Sequence, residues 1–124
     1  MIDKTIIRNH ESSLQLTAKS WAIYDAKKCT PLWSKSIDEQ CEIASLTKIM
    51  TAYLTCKLIE EIKLDPHKVF FRVSKAAATI GGTSAYLREG QRLCIYDLLV
   101  GMMLPSGNDA AMVLGEHFGR YLLL

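Results

Sequence analysis

The chain has 124 residues, 49% of them apolar, and fifteen basic against thirteen acidic side chains leave a formal charge of +2. That length suits one domain with one core and excludes a repeat array or a two-domain enzyme, because about 100–200 residues make a single domain. The charge is spread along the sequence, so no electrostatic footprint for nucleic acid or an anionic membrane is expected.

In chain order, the first segment, MIDKTIIRNHESS, lacks the apolar run of roughly 7–15 residues that a secretory signal needs. No stretch approaches the roughly 20 apolar residues of a membrane span. Residues 1–19 therefore read as an N-terminal extension without an export signal, and the localisation is left open.

From Trp21, SWAIYDAKKCTPLWSKS reads as a hairpin, with a polar DAKK connection and LWSK as the returning strand. Pro31 argues that this second strand is an edge or begins late. After the polar SIDEQ, Ser45 opens a helix whose apolar positions Ile49, Met50, Tyr53, Leu54, Leu58 and Ile59 fall at three-to-four-residue spacing. It should run to about Ile62 and stop before Asp65-Pro66. The charges of KLIEEIK read as a solvated face.

VFFRVS is then a short extended segment and SKAAA a helical turn. IGGTSAYLREGQ is a loop whose glycines supply turns. IYDLLVGMML predicts a helix buried on all sides, with Met102 and Met103 as core filler. Pro105 ends it, and Ser-Gly-Asn connects to a second helix, DAAMVLGEHFG, where Asp109 favours the positive helix start. Cys29, Cys41, Cys56 and Cys94 form no Cys-x-x-Cys pair and read as reduced thiols. His10, His67 and His117 lack zinc-ligand spacing, so they read as single, partly exposed residues and no metal is expected.

Two short motifs carry possible chemistry. Ser45 and Lys48 are three positions apart, hence on one helix face. A serine in a first helical turn has its hydroxyl near unpaired N–H groups and the positive end of the dipole, where developing negative charge is stabilised. A buried lysine there can lose its proton, which sets a base beside a nucleophile. Nine Ser and ten Lys would give about 0.7 such pairs by chance, so the match alone also fits a helix cap followed by a solvated lysine. The second motif, Ser106-Gly107-Asn108, lies in a short connection between apolar helices. With nine Ser and two Asn, chance supplies about 0.15 such triplets. There it can aim a hydroxyl and an amide into a cleft.

ASLTKIMTAY, then GTSAYLREGQ, then DLLVGMMLPSGNDAA resembles the serine-type D-alanyl-D-alanine carboxypeptidases, the low-molecular-mass penicillin-binding proteins, from about Trp21 to Gly119. The resemblance implies an α+β, β-lactamase/transpeptidase-like fold, of which residues 20–124 hold the hairpin and helical part of the catalytic domain with an incomplete sheet. It implies Ser45 as acylated nucleophile, Lys48 as its base, Ser106 as relay to the leaving amine and Asn108 as substrate-binding amide. The backbone N–H of Ser45 would be half of an oxyanion hole. It also implies a peptidoglycan stem peptide as substrate, β-lactams as inhibitors and no cofactor.

The family's third motif, Lys-Thr-Gly, is absent; Lys4-Thr5 is followed by Ile6. In the family that strand supplies substrate-carboxylate contacts and the second oxyanion donor. The expectation is thus a fragment or degenerate copy with an exposed helical face, poor solubility or a complementing chain as partner. Family members act outside the cytoplasmic membrane. Two other readings remain: a non-catalytic binding remnant of the same fold, and a serine β-lactamase, which usually has Asp where this chain has Gly107.

Overall fold

The computed structural model describes residues 16–122, with the side chain of Leu122 left aside. Most of the N-terminal extension, together with Lys4-Thr5 and His10, lies outside the described residues. The chain divides into two compact units between Glu42 and Ile43.

The first unit holds an antiparallel hairpin, β1 (Trp21–Asp25) and β2 (Thr30–Lys35). Its turn is fixed by Asp25, whose Oδ1 accepts from the backbone N–H groups of Lys27 (2.9 Å) and Lys28 (3.1 Å). Cys29 closes the turn in the left-handed region at φ 50°. The returning strand begins at Thr30 and includes Pro31, which pairs with Tyr24 where the register shifts. A proline cannot donate to a ladder, and an irregular position in a two-stranded sheet tolerates it.

The second unit begins with a 3-10 turn, Ala44–Leu46, that runs into α1 (Thr47–Glu61). Its end is closed by Lys63 at φ 54°, whose N–H bonds the Glu60 carbonyl while the Leu64 N–H bonds Ile59. This is the Schellman arrangement, with lysine where glycine is usual, and Ile59 and Leu64 pack against the core beside it. The stop ahead of Asp65-Pro66 therefore follows from sequence as expected.

β3 (Phe70–Arg72) pairs antiparallel with β4 (Arg92–Cys94). Between them lie α2 (Lys75–Thr79), capped by Ser74 Oγ accepting from Ala77 N–H at 3.0 Å, and the 80–91 loop. α3 (Ile95–Met103) follows β4 directly, and the Cys94 thiol caps it by accepting from Asp97 N–H at 3.4 Å. α4 (Asn108–Leu122) ends the described chain.

Leu58, Val73, Ala77, Ile95, Leu98, Met102, Ala110, Val113, Leu114 and Phe118 make the core of this unit. Each fully buried Ile, Leu or Met there contributes about 1.5–3 kcal/mol. The spacing of Ala110, Val113, Leu114 and Phe118 is one helical face, which seats α4 against α3.

Two expectations are corrected. α3 is not buried on all sides: it sinks Ile95, Leu98 and Met102, whereas Met103 is exposed and Leu104, just past its end, is 82% exposed. Nearly unbroken apolarity therefore covers one packed face and one open face here, and Met103 is not core filler. β4 was not anticipated, because three residues leave no periodic signal and its partner lies about twenty residues upstream. The four cysteines are unpaired, Cys94 buried and the other three exposed.

Candidate active site

The structure brings Ser45, Lys48, Ser106 and Asn108 together. Ser45 sits in the 3-10 turn rather than at an α-helical cap, and its side chain caps nothing. Ala44 just before it is held at φ 44°, and Ser106 at φ 59°. A left-handed backbone costs a residue with a Cβ about 1–2 kcal/mol, so both turns are sustained by their surroundings.

Lys48, on the first turn of α1, is the hub. Its Nζ donates to Asn108 Oδ1 at 2.7 Å, to Ser45 Oγ at 3.2 Å and to Ser106 Oγ at 3.2 Å. Three acceptors match the three donors of an ammonium group. Ser106 Oγ also donates to Ser45 Oγ at 2.9 Å, closing a triangle of two hydroxyls and one amine. Lys48, Ser106 and Asn108 are half-buried and Ser45 is exposed, so the cluster opens to solvent at the serine. Lys48 is thus less enclosed than the buried lysine its sequence position suggested.

The Ser106–Asn108 side is braced by the 80–91 loop. Asn108 donates from Nδ2 to the Gly81 carbonyl (2.8 Å) and from its backbone N–H to Thr83 O (2.7 Å). Thr83 Oγ1 in turn donates to the Ser106 carbonyl. Space here is tight: a Cβ at Gly82, which has φ 90°, would lie 2.5 Å from Asn108 Nδ2. A Cβ at Gly107 would lie 2.6 Å from Asp109 Oδ1, 2.7 Å from the Gly101 carbonyl and 2.9 Å from Ala85 N. Gly82 therefore does more than turn the chain, which corrects the sequence expectation.

Asp109 is the residue that sequence reasoning undervalued. Beyond favouring a helix start, its carboxylate accepts from Ser84 Oγ (2.7 Å), Ala85 N–H (2.9 Å), Leu87 N–H (3.0 Å) and Ala110 N–H (2.9 Å). Desolvation raises its pKa, but the hydrogen bonds from Ala85, Leu87, Ser84 and Ala110 outweigh it and hold the carboxyl below its ordinary value. Only an acid in the first helical turn signalled it in the sequence. Thr83 and Ser84 entered the sequence reading only within the GTSAYLREGQ stretch, with no role of their own.

Chemically, a hydroxyl, an amine and a second hydroxyl in mutual hydrogen-bond reach are the parts of a nucleophile with a proton relay. The family model described as D-alanyl-D-alanine carboxypeptidase matches residues 7–120. The chain is 33% identical over 106 residues to the D-alanyl-D-alanine carboxypeptidase DacF of Bacillus subtilis, covering 85% of this chain and 27% of that protein. DacD of Escherichia coli is 30% identical over 108 residues, covering 83% and 28%.

Among solved structures, DacD from Francisella tularensis superposes with a TM-score of 0.79 at 33% identity, over 86% of this chain and 25% of that one. Penicillin-binding protein D2 from Listeria monocytogenes, in an ampicillin-bound form, gives 0.71 at 27% identity, over 85% and 42%. The chain thus spans about a quarter of the length of the curated relatives it matches. Its α+β arrangement is part of the penicillin-binding-protein fold, and with nearly every residue inside the family match, the chain belongs to the D-alanyl-D-alanine carboxypeptidase family.

Proposed function

We propose that residues 20–124 are part of the catalytic domain of a serine D-Ala-D-Ala carboxypeptidase, acting on peptidoglycan stem peptides and acylated by β-lactams. One observation carries the reading: Lys48 Nζ reaches Ser45 Oγ, Ser106 Oγ and Asn108 Oδ1 at once.

In this reading Lys48 takes the Ser45 proton while Oγ attacks the penultimate D-Ala carbonyl. The oxyanion develops beside the Ser45 backbone N–H and the positive start of α1, where charge is stabilised. As the C–N bond breaks, Ser106 gives its proton to the leaving D-Ala amine and recovers one from Lys48, to which it is bonded at 3.2 Å. Water then attacks the Ser45 ester, which returns the acid product and the free serine. Asn108 holds Lys48 through Oδ1 and meets the substrate at the open side. A β-lactam opened by the same oxygen would remain as an ester.

The crowding at Gly107 weighs against the β-lactamase reading, because the aspartate usual there would need a Cβ where Asp109 and two backbone groups already sit. The test is the intact mass of the chain after incubation with benzylpenicillin, beside Ser45→Ala. One adduct, absent from the variant, is expected. An adduct surviving in Ser45→Ala would refute the assignment of Ser45, and a folded chain that takes up no penicillin would show that these residues by themselves do not make a working site.

A further inference from the structure

Asp109 is the one charged side chain buried among the described residues, at 2% exposed. Neither of the two ion pairs among those residues involves it. Three of its four donors, Ser84 Oγ, Ala85 N–H and Leu87 N–H, belong to a single stretch of loop. Hydrogen bonds to a carboxylate are roughly twice as strong as neutral ones, so Asp109 clamps this stretch onto the start of α4.

The clamped stretch continues back to Thr83 and Gly81, whose carbonyls hold Asn108 at its backbone N–H and its Nδ2. A primary amide offers one nitrogen and one oxygen. With Nδ2 committed to Gly81, Oδ1 is the atom left for Lys48, at 2.7 Å. The amide and the clamp both lie where a side chain at these positions would stand, Asn108 Nδ2 2.5 Å from a Cβ at Gly82 and Asp109 Oδ1 2.6 Å from one at Gly107, so the two glycines admit this arrangement.

We propose that Asp109 is a positioning residue: through residues 81–87 it fixes the Asn108 amide, and through that amide it aims Lys48 Nζ between Ser45 and Ser106. The inference rests on the roles proposed above for Lys48 and Asn108. If Asp109 served only as a negative charge at a helix start, the direction of the Asn108 amide would be indifferent to it.

Asp109→Ala and Asp109→Asn separate the two, each measured in the 124-residue chain below its own thermal transition, with Leu58→Ala as a destabilised control at the far end of α1. Two readouts are taken: the benzylpenicillin acylation kinetics, resolved into prior binding and acylation, and the NMR signals of the Asn108 side-chain amide. For Asp109→Ala we expect acylation slower by about 10–100-fold, the cost of a displacement near 1 Å at a reacting group, with prior binding changed far less.

The Asn108 amide signals should shift and exchange faster. Asp109→Asn should recover part of the rate, since its oxygen can still accept from Ala85 and Ala110 while its nitrogen opposes the Leu87 N–H; it also carries the comparison should the alanine variant not fold. Leu58→Ala should move neither readout. Folded variants with wild-type acylation and an unmoved Asn108 amide overturn the proposal. Should the wild-type chain not be acylated, the reading of these residues as a working site by themselves fails separately, and the Asn108 amide alone decides: displaced in the variants, the clamp stands, and unmoved, it falls.

Discussion

Two helices of fifteen residues each bring one half of the candidate site, and they are anchored in opposite ways. α4 sinks Ala110, Val113, Leu114 and Phe118 into the core, so Asn108 at its start stands on a packed base. α1 buries only Thr55 and Leu58, and in the turns after Lys48 its Ile49, Met50, Tyr53 and Leu54 are exposed. The Lys48 end of α1 rests on half-buried Ala52 one turn along, and the bonds from Nζ to Ser106 and Asn108 tie it to the other half. One half of the site thus stands on a deeply packed base, and the other, more shallowly packed, leans more on the same contacts that would do its chemistry.

Truncation on the two helices should break or sharpen this contrast most strongly. Leu114→Ala on α4, at a position 1% exposed, should cost about 2–5 kcal/mol by equilibrium denaturation. Equal losses for Leu114→Ala and for an alanine at Leu54 on α1 would erase the distinction between the helices.

A smaller effect follows from pH. Because the folded state holds the Asp109 carboxyl below its ordinary value, this group stabilises the fold above the unfolded pKa of about 3.9 and loses that contribution as pH falls through the lower folded value. Thermal midpoints should drop on acidification below about pH 4, and less steeply in Asp109→Asn. Asp65, lowered mainly by the His67 backbone N–H and then by Lys68, is exposed, so Asp65→Asn should leave the slope nearly unchanged. An equal slope in wild type and Asp109→Asn would mean that the clamp gains nothing from its charge.

The sequence made the α4 half legible in outline and left its bracing unseen. Pro105, Gly107 and the periodic apolar run marked the break and the second helix, and Ser106 and Asn108 stood out as polar residues in an apolar setting. Three of the four bonds of Asp109 and the closeness of Gly82 to Asn108 come from a loop more than twenty residues away in sequence, and no local pattern encodes such a meeting. On α1 the apolar spacing correctly gave a helix, but spacing identifies a face and not what covers it. Ser45 fell within the predicted helix start, whereas its 3-10 turn depends on Ala44 taking a left-handed conformation that alanine does not advertise.

The smallest expected effect concerns the exposed face of α1 itself. Leu46, Ile49, Met50, Tyr53 and Leu54 are exposed at three- and four-residue intervals, so they form one apolar stripe on the helix. A stripe of this kind favours association, and removing part of it costs the folded monomer little because few contacts are lost. Met50→Gln and Leu54→Gln should each change the unfolding free energy by less than about 0.5 kcal/mol and leave penicillin acylation unaltered, while lowering self-association in sedimentation at high concentration. A loss near that of Leu114→Ala would instead show that the stripe is covered in the folded chain, and α1 would then be anchored by packing just as α4 is.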